Sequence, residues 1–152
     1  MDEIDRKILA QMQKDSTISI ADLAKAVGLS STPCWRRVRQ LERDGVIRKQ
    51  VAILDPKKIN LNTIVFVGIR MTRHNAEWSA RFQQIVSDCV EVIEFYRLAG
   101  QIDYLLKVVV PDIDAFDQFY QRLIEQIELQ DVTSMFAMEE IKTTQQLPLK
   151  YA

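Results

Sequence analysis

The stretch SIADLAKAVGLSSTPCWRRVRQLERDG, residues 19–45, decides how the rest of the chain is read. Its first half places Ile20, Leu23, Ala24 and Val27 at i, i+3, i+4 and i+7, one apolar face of a helix, and ends on Gly28, a natural C′ residue. Only about two turns long, such a helix must pack on a neighbour to persist. The second half predicts another helix, with Thr32 as N-cap and Pro33 at the first helical position, where a missing N–H costs nothing. Cys34, Val38 and Leu41 form its apolar side, and Gly45 stops it. Upstream, EIDRKILAQMQK repeats Ile4, Ile8 and Met12 every four residues with Leu9 beside them. Three short helices with a Gly-containing turn between the last two read as a helix-turn-helix.

Downstream, VIRKQVAILDP reads as a short strand or wing ending at Asp55-Pro56, followed by a linker to about Asn62. The pattern then changes. TIVFVGIRM is an expected strand, AEWSARFQQIVSD a helix, VEVIEFYRL a strand and YLLKVVV another. A helix from Asp112 carries Phe116, Phe119, Tyr120, Leu123 and Ile127 in register, and SMFAMEEIK is expected as the last strand. This βαββαβ order is ferredoxin-like: an antiparallel sheet with both helices on one face. The expected fold class is therefore α+β, with a helix-turn-helix domain over residues 1–50, a strand and linker over 51–62 and a ferredoxin-like domain over 63–152. Phe66, Phe95 and Met138 are expected on the uncovered sheet face, and a second copy of the chain is its simplest cover.

Charge separates the two parts. Residues 1–50 carry ten Lys and Arg against seven Asp and Glu, whereas residues 51–152 carry ten against fourteen. Six of the cations fall between positions 30 and 50. A polyanion is attracted to the first third and repelled by the remainder. On the expected third helix, Arg36, Arg39 or Gln40, and Arg43 lie away from the apolar side, flanked by Arg37. A helix roughly 10 Å across fits the B-DNA major groove, where Arg pairs with guanine O6 and N7. Ser30, Ser31 and Thr32 at the helix start suit phosphate. Two readings of Trp35 stay open, the edge of the core or a contact to DNA, while Arg48 and Lys49 reach flanking phosphates at best. The expected partner is double-stranded DNA.

The segments STPCWRRVRQLERDGVI, EIDRKIL, LAKAVGLS, AGQIDYLL and FAMEEIK, in this order along nearly the whole chain, closely resemble the leucine-responsive/asparagine-type (Lrp/AsnC, feast/famine) bacterial transcription regulators. The resemblance implies a C-terminal domain that binds an amino acid, for example leucine, methionine or cysteine, and dimers that assemble into octamers. It also implies that the turn at Gly100 to Asp103 lies in an effector pocket between dimers. Backbone N–H groups of Gly100 and Gln101 would meet the carboxylate, and Asp103 the ammonium group. Thr133 and Ser134 would be supplied by a neighbouring chain, with Leu98, Tyr104 and Met135 as an apolar wall. Gly100 is free to take a positive φ in that turn.

No phosphate loop, nucleophile elbow or metal spacing occurs, and the single histidine, His74, reads as a loop or cap residue. Neither catalytic residues nor a metal or cofactor are expected. Glu139 and Glu140, adjacent on the expected last strand, should point to opposite faces. Cys34 and Cys89 make no redox motif and are expected as reduced thiols. The N-terminus has no signal-peptide core, no apolar run approaches a membrane span, and a cytoplasmic protein is expected. The rival reading is a small-molecule sensor or enzyme on the ferredoxin-like domain, with the helical part serving only assembly.

Overall fold

The computed structural model describes residues 1–71, 76–129 and 131–152, so His74 lies outside the described residues. The chain forms two compact units, Met1–Ile53 with Lys142–Ala152, and Leu54–Ile141.

In the first unit, α1 (Glu3–Lys14), α2 (Ile20–Val27) and α3 (Ser31–Arg43) surround a core of Ile8, Leu9, Leu23, Ala24, Val27, Cys34, Val38 and Leu41. These are the positions that the periodicities select. Local chemistry sets the ends. Asp2 and Asp5 form a capping box at the start of α1, each side chain accepting from the other's backbone N–H. The Ser19 hydroxyl caps α2 by accepting from Asp22 N–H. Gly28, at φ 74°, reverses the chain between α2 and α3, and Leu29 N–H closes the turn onto Ala24 O at 2.8 Å. The start of α3 differs from expectation: Ser30, not Thr32, is the N-cap, and no side chain bonds there. Pro33 still falls within the first turn, where its missing N–H leaves no intrahelical bond unmade.

The strand or wing expected after Gly45 does not form within the chain: the backbone is irregular to Asp55, and a 3-10 turn spans Pro56–Ile59. Ile47 packs on the helical core, but Val51, Ile53 and Leu54 are exposed. Without a neighbouring strand, a β-branched run has no backbone partners to hold it extended.

The second unit has four strands, β1 (Thr63–Arg70), β2 (Val92–Arg97), β3 (Tyr104–Val110) and β4 (Asp131–Phe136), in the order β2-β3-β1-β4 with antiparallel pairs throughout. Helices α4 (Ala76–Ser87) and α5 (Ile113–Gln126) complete the βαββαβ order. Val65, Val67 and Ile69 from β1 and Leu106, Val108 and Val110 from β3 meet Phe82, Val86, Phe119 and Leu123 from the helices. Each such side chain contributes about 1.5–3 kcal/mol when fully buried.

Two expectations about this sheet are corrected. The last strand begins three residues earlier than predicted and ends at Phe136, so Met138, Glu139 and Glu140 lie beyond it. Phe95 does not face outward. It packs into the core against the rings of Phe82 and Tyr104, because a register irregularity between Val92 and Glu94 shifts the alternation of β2. The uncovered face is instead built on Ile64, Phe66 and Met135, with Phe66 opposite both Met135 and Lys107. Across it Lys107 Nζ donates to Glu94 at 3.0 Å and the Tyr96 hydroxyl donates to the same carboxylate at 2.9 Å. The ammonium group of Lys107 holds the Glu94 carboxyl below its ordinary range.

Residues 142–152 depart from the expected division too. They join the helical unit, where Leu149 packs on its core. The Gln13 side-chain amide pairs with both backbone groups of Leu147, accepting at 2.6 Å and donating at 3.2 Å, and Arg6 donates to Ala152 O at 2.7 Å.

Candidate nucleic-acid interface and effector site

Burying Cys34, Val38 and Leu41 turns the opposite side of α3 outward, exposing Ser31, Thr32, Trp35, Arg36, Arg39, Gln40 and Arg43, with Ser30 just ahead of them. Burial pushes the Cys34 thiol pKa up, as expected for a thiol acting as a small apolar core residue. Trp35 remains 48% exposed, so it is not a core residue, and the Arg39 guanidinium lies 5.7 Å from its ring centroid.

The four arginines of α3 are not equivalent. Arg36 has no hydrogen-bond or ion-pair partner among the described residues. Arg39 donates to Glu42 at 2.8 Å, and Arg43 to the side-chain oxygen (Oε1) of Gln40 at 2.8 Å, while the Gln40 side-chain amide nitrogen donates to Asp44. Arg37 instead reaches the capping box of α1, donating to Asp2 at 2.6 Å and Asp5 at 2.8 Å. The bond from Asp5 N–H and then the Arg37 guanidinium hold the Asp2 carboxyl below its usual range. Expected at the DNA, Arg37 is thus committed to two carboxylates and braces α3 against α1. Its partners are 32 and 35 positions away in sequence, beyond the reach of any local pattern.

In the second unit, the 98–103 turn and the start of β4 lie at the same end of one sheet. Asp103 N–H donates to Ile69 O, Leu98 N–H donates to Asp103 O, and Thr133 pairs with Gly68. One oxygen of the Asp103 carboxylate accepts Met71 N–H at 2.7 Å, so it terminates β1. Gly100 does not use a left-handed conformation. Nor do all the expected residues share a face. Tyr104 is 2% exposed and belongs to the core against Phe82, not to a ligand wall. Thr133 and Met135 fall on the uncovered face with Gly68 and Phe66, and the alternation of β4 turns Ser134 to the helix side. Leu98, Gly100 and Gln101 are exposed.

Ile102 was missed by sequence reasoning. A Cβ on Gly68 would meet its side chain at 3.2 Å, so Gly68 makes room for Ile102 beside Thr133 on the uncovered face. A shallow cleft of about 360 Å³ lies elsewhere, lined by Cys89, Phe119, Leu123 and the Glu91–Arg122 ion pair. It contains none of the expected ligand residues. No cluster of metal-ligating side chains occurs among the described residues, and no helix there is long and apolar enough to cross a membrane.

A helix-turn-helix joined to a ferredoxin-like α+β domain defines a DNA-binding transcription regulator that carries its own ligand-binding domain. The winged helix-turn-helix DNA-binding profile matches residues 1–48 and the Lrp/AsnC ligand-binding domain profile residues 64–147. The chain belongs to the Lrp/AsnC family of transcription regulators. It is 48% identical over 151 residues, 99% of each chain, to the DNA-binding transcriptional activator DecR of Escherichia coli K12. An AsnC-family transcriptional regulator from Agrobacterium tumefaciens, known from its crystal structure, is 60% identical, with a TM-score of 0.97 over 99% of each chain. A Neisseria meningitidis transcriptional regulator, crystallised as an L-Met complex, is 34% identical with a TM-score of 0.95, covering 99% of this chain and 98% of that one.

Proposed function

We propose that this regulator acts in the cytoplasm, binding double-stranded DNA in a sequence-specific way through the exposed face of α3, under the control of an amino acid bound by its second domain. The observation that carries the reading is the joining, in one chain, of an outward basic α3 face and a ligand-binding domain of this family. The L-Met complex of the Neisseria relative supports an amino-acid effector, with methionine the first to try. Arg36, Arg39 and Arg43 face the DNA; Ser30, Ser31 and Thr32 contact phosphate. The Asp103 carboxylate accepts from the ligand ammonium group beside the backbone of Gly100 and Gln101, with Thr133 and Met135 from another copy. The half-buried sheet face around Phe66 supports a dimer as the minimum unit, with further assembly to octamers. Relatives named as transcriptional regulators support a non-enzymatic role.

Two recognition helices of a dimer would then meet successive major grooves roughly 34–36 Å apart, giving pseudo-palindromic sites. The test is anisotropy with enriched genomic duplexes, with and without each of the twenty amino acids. Salt-dependent binding whose affinity shifts with at least one amino acid is expected. Binding by the Arg36→Ala/Arg39→Ala double variant equal to that of the native protein would refute the DNA assignment. Ligand binding without any DNA affinity would favour the rival sensor.

A further inference from the structure

We infer that Trp35 and Glu42 are positioning residues that hold Arg39 as a guanine reader, an inference that rests on the proposed docking of α3 in the major groove. The three residues stand at i, i+4 and i+7, one stripe of the helix. The Trp35 ring centroid lies 5.7 Å from the Arg39 guanidinium, and the Glu42 carboxylate receives Nη1–H at 2.8 Å. A guanidinium held over an indole and bonded to a carboxylate loses part of its rotamer freedom before DNA arrives. Nη1 donation to Glu42 leaves Nε–H and an Nη2–H as a parallel pair, the fork that matches guanine O6 and N7.

Neither neighbour is explained by packing. Trp35 is 48% exposed on a helix whose apolar side is already complete, and burial of this ring is not what keeps it there. Glu42 sets a negative charge on a surface proposed to meet a polyanion. That arrangement opposes binding to any duplex and is offset only where Arg39 finds its acceptors, so it favours discrimination over affinity. The other arginines lack this bracket: Arg36 has no partner among the described residues, Arg37 is committed to Asp2 and Asp5, and Arg43 is bonded to Gln40.

The test uses the full chain and a site enriched from a pool of random duplexes. Single guanines in that site are replaced by 7-deazaguanine, which lacks the N7 acceptor but keeps the pairing edge. At one position per half-site the native protein should lose roughly tenfold in affinity. Arg39→Ala should show no such loss. Trp35→Ala and Glu42→Gln should each shrink it to within about threefold, and Trp35→Phe should restore part of it. Glu42→Gln should also bind scrambled duplex more tightly. Full discrimination retained in Trp35→Ala and Glu42→Gln overturns the inference, as does a fall in binding to enriched and scrambled duplexes alike, which would mark a role in helix stability only. Unchanged binding of every duplex by Arg36→Ala/Arg39→Ala refutes the α3 docking itself, a separate outcome.

Discussion

Asp103 carries two tasks in one carboxylate, and a pair of substitutions separates them. One oxygen accepts Met71 N–H at 2.7 Å and terminates β1, and the residue's backbone also ties Leu98 and Ile69 into the same turn. Asp103→Ala leaves a part-buried N–H without its acceptor, a loss of about 1–3 kcal/mol. For a domain of this size each kcal/mol lowers the melting temperature by roughly 4–8 °C. Asp103→Asn keeps an oxygen for Met71 and should stay within about 1 kcal/mol of the native stability, but removes the charge proposed to meet an amino-acid ammonium group. A hydrogen bond to a charged group is worth about 1.5–3 kcal/mol, so ligand affinity should fall by roughly one to two orders of magnitude in both variants. Calorimetric melting and isothermal titration, with methionine as the first ligand, measure the two effects. Native ligand affinity in Asp103→Asn would refute the ammonium role, and a native melting temperature in Asp103→Ala would refute the bracing of β1.

Because the Asp2 carboxyl pKa is lowered in the folded state, its contribution is present above its unfolded value near 3.8 and disappears as pH falls through the lower folded value. Urea midpoints of the helical unit should therefore drop below about pH 4 in the native protein, with a smaller drop in Asp2→Asn; equal drops refute the linkage. Phe66→Glu places a charge in the middle of the uncovered sheet face and should convert the assembly to smaller species in light scattering, whereas an unchanged particle mass would mean that the face is not an interface. Gln13→Ala with Leu149→Ala removes both the amide pairing and the apolar anchor of residues 142–152. Tryptic cleavage after Lys142 should accelerate, and a native cleavage rate would show that these contacts do not hold the segment.

Much of the architecture follows from the order of residues alone. The four-residue repeats of Ile4, Ile8 and Met12 and the reversal at Gly28 act over one or two turns, and each appears where its chemistry puts it. The βαββαβ order is likewise a matter of alternating periods. The basic side of α3 is legible for the same reason, since burying Cys34, Val38 and Leu41 leaves the arginines only one side to occupy. Tertiary structure decided what each arginine does: Arg37 and Arg36 are adjacent in a charge run, yet only Arg37 meets carboxylates from α1. It also decided that β4 starts at Asp131, that Phe95 and Tyr104 turn inward, that the Asp103 carboxylate ends β1, and that residues 142–152 return to the helical unit. Helix periodicities arise between residues a few positions apart, so sequence contains them, although the N-cap of α3 moved from the expected Thr32 to Ser30. Strand register, ion pairs and returning segments depend on groups brought together from tens of positions away, and those meetings exist only once the chain has folded.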